Sequence, residues 1–144
     1  MTMNKPFESI PNKVINSFDI DGVIYMDKFG GVYPGPSDII ITGRSEEERI
    51  ETIEMLQFKG IDNPLYMNPL PYSQKSRVSS GQHKGRTLFY LESIGYRFGC
   101  HFEDDPIQAH EINKIMPHVH IVMLNHNLVE KENVRRDNWK YYTE

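Results

Sequence analysis

The run Ile39-Ile40-Ile41-Thr42 leaves the chain few folds. An extended segment that is apolar on both sides needs cover on both faces, the condition of a strand inside a parallel sheet with helices above and below. The rest of the sequence supplies the partners. Residues 13–19 read as a first strand, 38–42 as the second, 64–68 as the third, 96–103 as the fourth and 119–124 as the fifth. Helical segments alternate with them. Ser45 can cap a helix with Glu48 completing a capping box, and Glu46 and Glu47 suit the positive end of its dipole. Ile50, Ile53 and Leu56 then mark an apolar face, and Gly60 stops the helix. Residues 69–83, with Pro69, Pro71, Ser73, Ser76, Ser79, Ser80 and Gly81, read as a loop, and a second helix spans 84–94. Pro106 opens a third, to about residue 116. The expected fold class is α/β: a Rossmann-like, parallel five-stranded sheet with helices on both faces and right-handed crossovers.

The glycines and prolines between Gly22 and Pro36 suggest a short β flap, too small for a cap domain. The 144 residues fit one domain, 1–144, with a core at about 13–124 and a polar tail over 125–144 ending in Trp139, Tyr141 and Tyr142. Residues 1–12 read as an irregular lead-in, with Pro6 and Pro11 opposing helix. With 38% hydrophobic and 25% charged residues, the composition is that of a globular chain. A net charge of −4 gives no global attraction to nucleic acid or an anionic membrane. The single Cys100 excludes an internal disulfide. No apolar run approaches a membrane span and no signal-peptide core is visible, so the expected location is the cytoplasm.

In such sheets, sites form at the carboxyl ends of the strands. Asp19 and Asp21 close the first strand, one residue apart and aimed into the same space, and Gly22 lets the chain turn away. Thr42 closes the second strand, and Asp104 and Asp105 close the fourth. Carboxylates gathered this way repel one another unless a hard cation offsets them, and an oxygen-only donor set suits Mg²⁺. With a hydroxyl and a lysine added, the inventory binds phosphoryl groups. A serine-triad reading finds no nucleophile elbow, a zinc reading finds too few cysteines, and His118 and His120 fit ordinary strand alternation. The glutamates at 46–48 are explained by the helix start.

Taken in order, these motifs resemble those of the haloacid dehalogenase-like superfamily. Asp19-Ile20-Asp21-Gly22 matches its first motif, Thr42 in Ile40-Ile41-Thr42-Gly43-Arg44 its second, Lys84 its third, with Lys75 a rival, and Glu103-Asp104-Asp105 its fourth. The resemblance runs from about Val14 to Leu124. It implies Asp19 as nucleophile, Asp21 as general acid and base, and Thr42 and Lys84 as holders of the transferring phosphoryl group. It also implies Mg²⁺ bound by Asp19, the Asp21 carbonyl and Asp104, with Asp105 a ligand or an orienting neighbour. About twenty residues separate Asp21 from Thr42 and about forty separate Thr42 from Lys84, so the chain looks capless. The open site and the Thr42-Gly43-Arg44 stretch are similar to polynucleotide 3′-phosphatase domains. The expected function is therefore a Mg²⁺-dependent phosphomonoesterase acting on a nucleotide or nucleic acid end. Gly43, Arg44, Lys75, Arg77, His83 and Arg86 are candidates to contact that phosphorylated substrate. The alternatives are a non-catalytic binding module on the same fold and a phosphotransferase.

Overall fold

The structure is a computed structural model that describes residues 13–26 and 30–129. The lead-in over 1–12 and the aromatics Trp139, Tyr141 and Tyr142 lie outside the described residues.

Five parallel strands form one sheet in the order β3-β2-β1-β4-β5. They are β1 (Val14–Phe18), β2 (Ile39–Ser45), β3 (Leu65–Asn68), β4 (Arg97–Glu103) and β5 (His120–Met123). The helices are α1 (Arg49–Phe58), α2 (Arg77–Ser93) and α3 (Pro106–Ile115). From β1 the chain winds one way through β2 to β3, then returns to add β4 and β5 on the other side. β1 and β4 are therefore neighbours at the point where the winding reverses, the place where sites form in sheets of this kind.

Strand alternation sends side chains to two cores. On one side Ile15, Ile39, Ile41 and Phe98 pack with Leu88 and Leu91 of α2 and Ile112 of α3. On the other, Phe18, Ile20 and Ile40 pack with Leu56 of α1 and with Val23 and Ile24. Ile40 and Ile41 are both fully buried and belong to opposite cores, as their place in a central strand demands.

Three expectations shift. The capping box at Ser45 forms: the Ser45 N–H donates to Glu48 Oε2 at 3.0 Å, and Ser45 Oγ accepts from the Glu47 N–H at 3.1 Å. It opens a 3-10 turn, Glu46–Glu48, before α1 begins. That turn has three residues per turn, and after it Thr52 and Leu56 point inward, while Ile50 is 76% exposed and does not mark the buried face. The loop expected to run through His83 ends at Ser76, and α2 starts seven residues before Lys84. Ser76 Oγ accepts from the Ser79 N–H at 3.0 Å while the Ser76 N–H donates to Ser79 Oγ at 2.8 Å, a box closed by serine where glutamate is usual. Gly81, which the sequence reading placed in that loop, and Gly85 both lie on the α2 face against α3. A Cβ at Gly81 would sit 2.7 Å from Glu111 Cβ, and one at Gly85 would sit 2.8 Å from Ile115 Cδ1. Finally, β2 is longer than its apolar run, continuing through Gly43 and Arg44 to Ser45.

The stretch after Asp21 is a tight excursion closed on itself. The Gly22 N–H donates to the Tyr25 carbonyl at 2.8 Å, and the Val32 N–H donates to the Val23 carbonyl at 2.8 Å. Its base is core: Val23 and Ile24 are fully buried.

Candidate active site

Three elements, β1, β4 and α2, deliver charged side chains to the carboxyl edge. Asp19 follows β1, its N–H donating to the Phe102 carbonyl of β4 at 3.1 Å, which fixes where the carboxylate leaves the sheet. Glu103 ends β4 and Asp104 follows it. Lys84 comes from α2 and is the largest fully buried side chain among the described residues. Its Nζ lies 3.1 Å from Asp19 Oδ1 and 2.9 Å from Glu103 Oε1. Of the two lysines considered for this place, Lys84 is the one preferred from sequence, and it reaches Asp19. Lys75 donates to the Gly43 carbonyl at 3.2 Å and pairs with Glu48 at 3.3 Å.

Asp19, Glu103 and Asp104 each offer a carboxylate oxygen within 4.8 Å of the others, and all three are buried. Gly22 makes the space. It sits at φ +88°, and a Cβ there would come 1.9 Å from Asp104 Oδ2. Any larger residue would clash with the Asp104 carboxylate and would strain the backbone as well. Buried carboxylates this close fit a hard cation, which neutralises their repulsion. Glu103 is held on both of its oxygens. Its Oε1 already accepts from Lys84 and from His101 Nε2, each at 2.9 Å, and its Oε2 faces the Asp105 N–H at 3.3 Å.

Asp105, grouped with Asp104 in the sequence, has another task. It caps α3, accepting from the Ile107 N–H at 2.9 Å, and its Oδ2 takes the Arg77 Nε at 2.8 Å and Gln108 Nε2 at 3.0 Å. Arg77 closes a second bond to Oδ1, so the pair is bidentate and buried. Asp105 is thus committed to Arg77 and the α3 cap. Arg77 is correspondingly not a surface cation waiting for substrate: it is 4% exposed.

Asp21 is also gripped. Arg44 Nε and Nη2 meet its two oxygens at 2.9 Å each, and Arg44 Nη1 reaches Thr52 at 3.3 Å. Thr42 is fully buried at the end of the apolar run, its Oγ1 accepting from the Arg44 N–H at 3.1 Å. Arg44 therefore ties β2 to the end of β1, and Gly43 lies buried between Thr42 and Arg44. Arg86 is exposed on α2, away from this cluster, on a groove of about 500 Å³ shared with Tyr66, His83 and Tyr90. The basic residues expected to form one substrate-facing set are thus mostly spoken for by acids.

The charges shape one another. Glu103 is held down to about 2: burial opposes the charged form, but the Lys84 ammonium and the His101 hydrogen bond outweigh it. Burial lowers the His101 imidazolium, and it pushes His83, with Lys84 as its neighbour, down to about 4. His101 was not among the residues singled out from sequence, and Glu103 entered only as part of the Glu103-Asp104-Asp105 run, with no role of its own. The available signal was their i, i+2 spacing, which puts both on one face of β4. Comparisons with protein-family models, with curated proteins and with solved structures return no match.

Proposed function

We propose that this chain is a Mg²⁺-dependent phosphomonoesterase of the haloacid dehalogenase-like kind, acting through an aspartyl-phosphate on a nucleotide or polynucleotide end. The observation that carries the reading is the Asp19 carboxylate, buried at the sheet's switch point, 3.1 Å from Lys84 and beside Asp104. A carboxylate held against an ammonium and a second acid is suited to meet a phosphoryl group.

In this reading Asp19 attacks phosphorus and the ester P–O bond breaks. Asp21 gives its proton to the departing oxygen. Asp21 then takes a proton from water as the water attacks the acyl phosphate, which breaks the bond to Asp19 and frees phosphate. Lys84 offsets charge on the phosphoryl oxygens, and Thr42 lies in the adjoining strand β2. Asp19 and Asp104 would hold Mg²⁺, which would supply charge neutralisation at those same oxygens. Because Arg44 occupies both oxygens of Asp21, proton transfer requires that grip to loosen as substrate enters.

The test is phosphate release from an aryl phosphate, 5′- and 3′-nucleotides and 3′-phosphorylated oligonucleotides, with and without Mg²⁺. Release that needs Mg²⁺ and disappears in Asp19→Asn is the expected result. No release from any substrate by the folded, Mg²⁺-supplied wild type would end the proposal.

A further inference from the structure

We infer that Ser17, His101 and Glu103 form a buried hydrogen-bonded relay that sets the position of Lys84 against Asp19, with His101 as a positioning residue. Its kinetic consequence rests on the phosphatase reading; its hydrogen-bond pattern does not.

Ser17 and His101 face each other in register across β1 and β4, and both are fully buried. Ser17 Oγ lies 2.7 Å from His101 Nδ1. The far side of the ring places Nε2 2.9 Å from Glu103 Oε1. The same oxygen lies 2.9 Å from Lys84 Nζ, and that nitrogen lies 3.1 Å from Asp19 Oδ1. The chain of contacts runs from inside the sheet to the proposed nucleophile.

Its polarity follows from donor arithmetic. Glu103 faces a buried ammonium, so it stays ionised and only accepts. His101 must therefore carry its proton on Nε2. A charged ring would place a second buried cation on the oxygen that Lys84 already uses. A neutral ring leaves Nδ1 bare, and Nδ1 then accepts from the Ser17 hydroxyl. One tautomer satisfies every member of the relay.

The consequence lies at Lys84. With the His101 N–H on Oε1, the Glu103 carboxylate cannot rotate, and its oxygen is shared between two donors. The ammonium keeps its reach to Asp19. Without that N–H, Lys84 is the only side-chain donor left on Oε1, and it is drawn toward Glu103 and away from Asp19.

The experiment uses the full chain labelled with ¹⁵N-histidine, alongside Ser17→Ala, His101→Leu and His101→Gln. The expected spectrum shows His101 as the Nε2–H tautomer with an accepting Nδ1, whose resonance moves in Ser17→Ala. Loss of an outer hydrogen bond of this kind costs about 10- to 100-fold, so His101→Leu should lose that much phosphate release, in kcat more than in KM. His101→Gln, which can still donate to Glu103, should recover most of it. An Nδ1–H or doubly protonated His101 overturns the relay whether or not the wild type turns over. Equal, wild-type kcat in the folded Leu and Gln variants overturns the positioning role. A wild type with the Nε2–H tautomer and no phosphate release removes the phosphatase reading and the kinetic role with it, while the tautomer upholds the hydrogen-bonded chain. Should His101→Leu fail to fold, the ¹⁵N spectra still decide the hydrogen-bond pattern, and His101→Asn, whose amide nitrogen reaches only the Nδ1 position, takes its place beside His101→Gln in the kinetic comparison.

Discussion

Arg77 and Lys84 leave the same helix, seven residues apart, and each ends buried on an acid at the carboxyl edge. They do opposite things there. Arg77 lies on Asp105 with its planar fork, and the remaining lone pairs of Asp105 go to the α3 N-terminus and to Gln108. No bonding capacity is left for a ligand. Lys84 divides a point charge between Asp19 of β1 and Glu103 of β4, with Asp104 alongside. The first arrangement fastens α2 to α3. The second gathers more acid than one ammonium neutralises and so suits an incoming cation and phosphoryl group. Two adjacent acids, Asp104 and Asp105, fall on either side of that division.

Substitutions can break the contrast from either end. The largest effect belongs to Asp19→Asn, which should lower Mg²⁺-dependent phosphate release by about 10⁴-fold or more, the scale of removing a catalytic nucleophile. Lys84→Met should come next. It removes charge stabilisation at the site, worth about 10²- to 10³-fold in kcat, and strands two buried carboxylates, so the denaturation midpoint should fall as well. Arg77→Met separates the two effects. Leaving Asp105 buried and unpaired should cost about 3–5 kcal/mol in urea unfolding, while kcat per folded molecule stays within a few-fold of wild type. If Arg77→Met lowers kcat as far as Lys84→Met, the two cations are not distinct in kind. Gly81→Ala probes the fastening alone: forcing a Cβ against Glu111 and the Gln108 backbone should cost about 1–3 kcal/mol.

Acid should release the lysine-side network gradually. The His83 imidazole is lowered from 6.5 to about 4, so the unfolded chain binds the proton more readily, and stability falls as pH drops from 6.5 toward 4. Glu103 is lowered from 4.5 to about 2, so its contribution is full above 4.5 and is lost as pH falls toward 2. Replacing His83 with Phe should flatten the upper part of this decline and leave the lower part, as read by urea midpoints across pH.

Much of this was legible in the chain. The apolar alternation of strands and helices, the Ser45 box and the strand-end acids were all local patterns, and local patterns survive folding. Spacing favoured Lys84 over Lys75, but the burial of Lys84 against Asp19 and Glu103 depends on how α2, which starts only at Arg77, packs on the sheet. The start of α2 was hidden for a related reason. Serines and glycines favour loops in isolation, but here Ser76 and Ser79 cap each other and the glycines admit α3. Arg44, Arg77 and Arg86 look alike in sequence as substrate contacts. Two of them are consumed by Asp21 and Asp105, partners more than twenty residues distant. Glu103 and His101 come together with Ser17 only when β4 is laid beside β1, which brings Ser17 Oγ to 2.7 Å from His101 Nδ1.

The most direct test of the account is an acid quench during turnover with a substrate labelled in its phosphoryl group. A phosphorylated Asp19 predicts label on the protein, labile to hydroxylamine, confined to the peptide containing Asp19 and absent from Asp19→Asn. Steady Mg²⁺-dependent phosphate release with no label on the protein, or label that persists in Asp19→Asn, would contradict it.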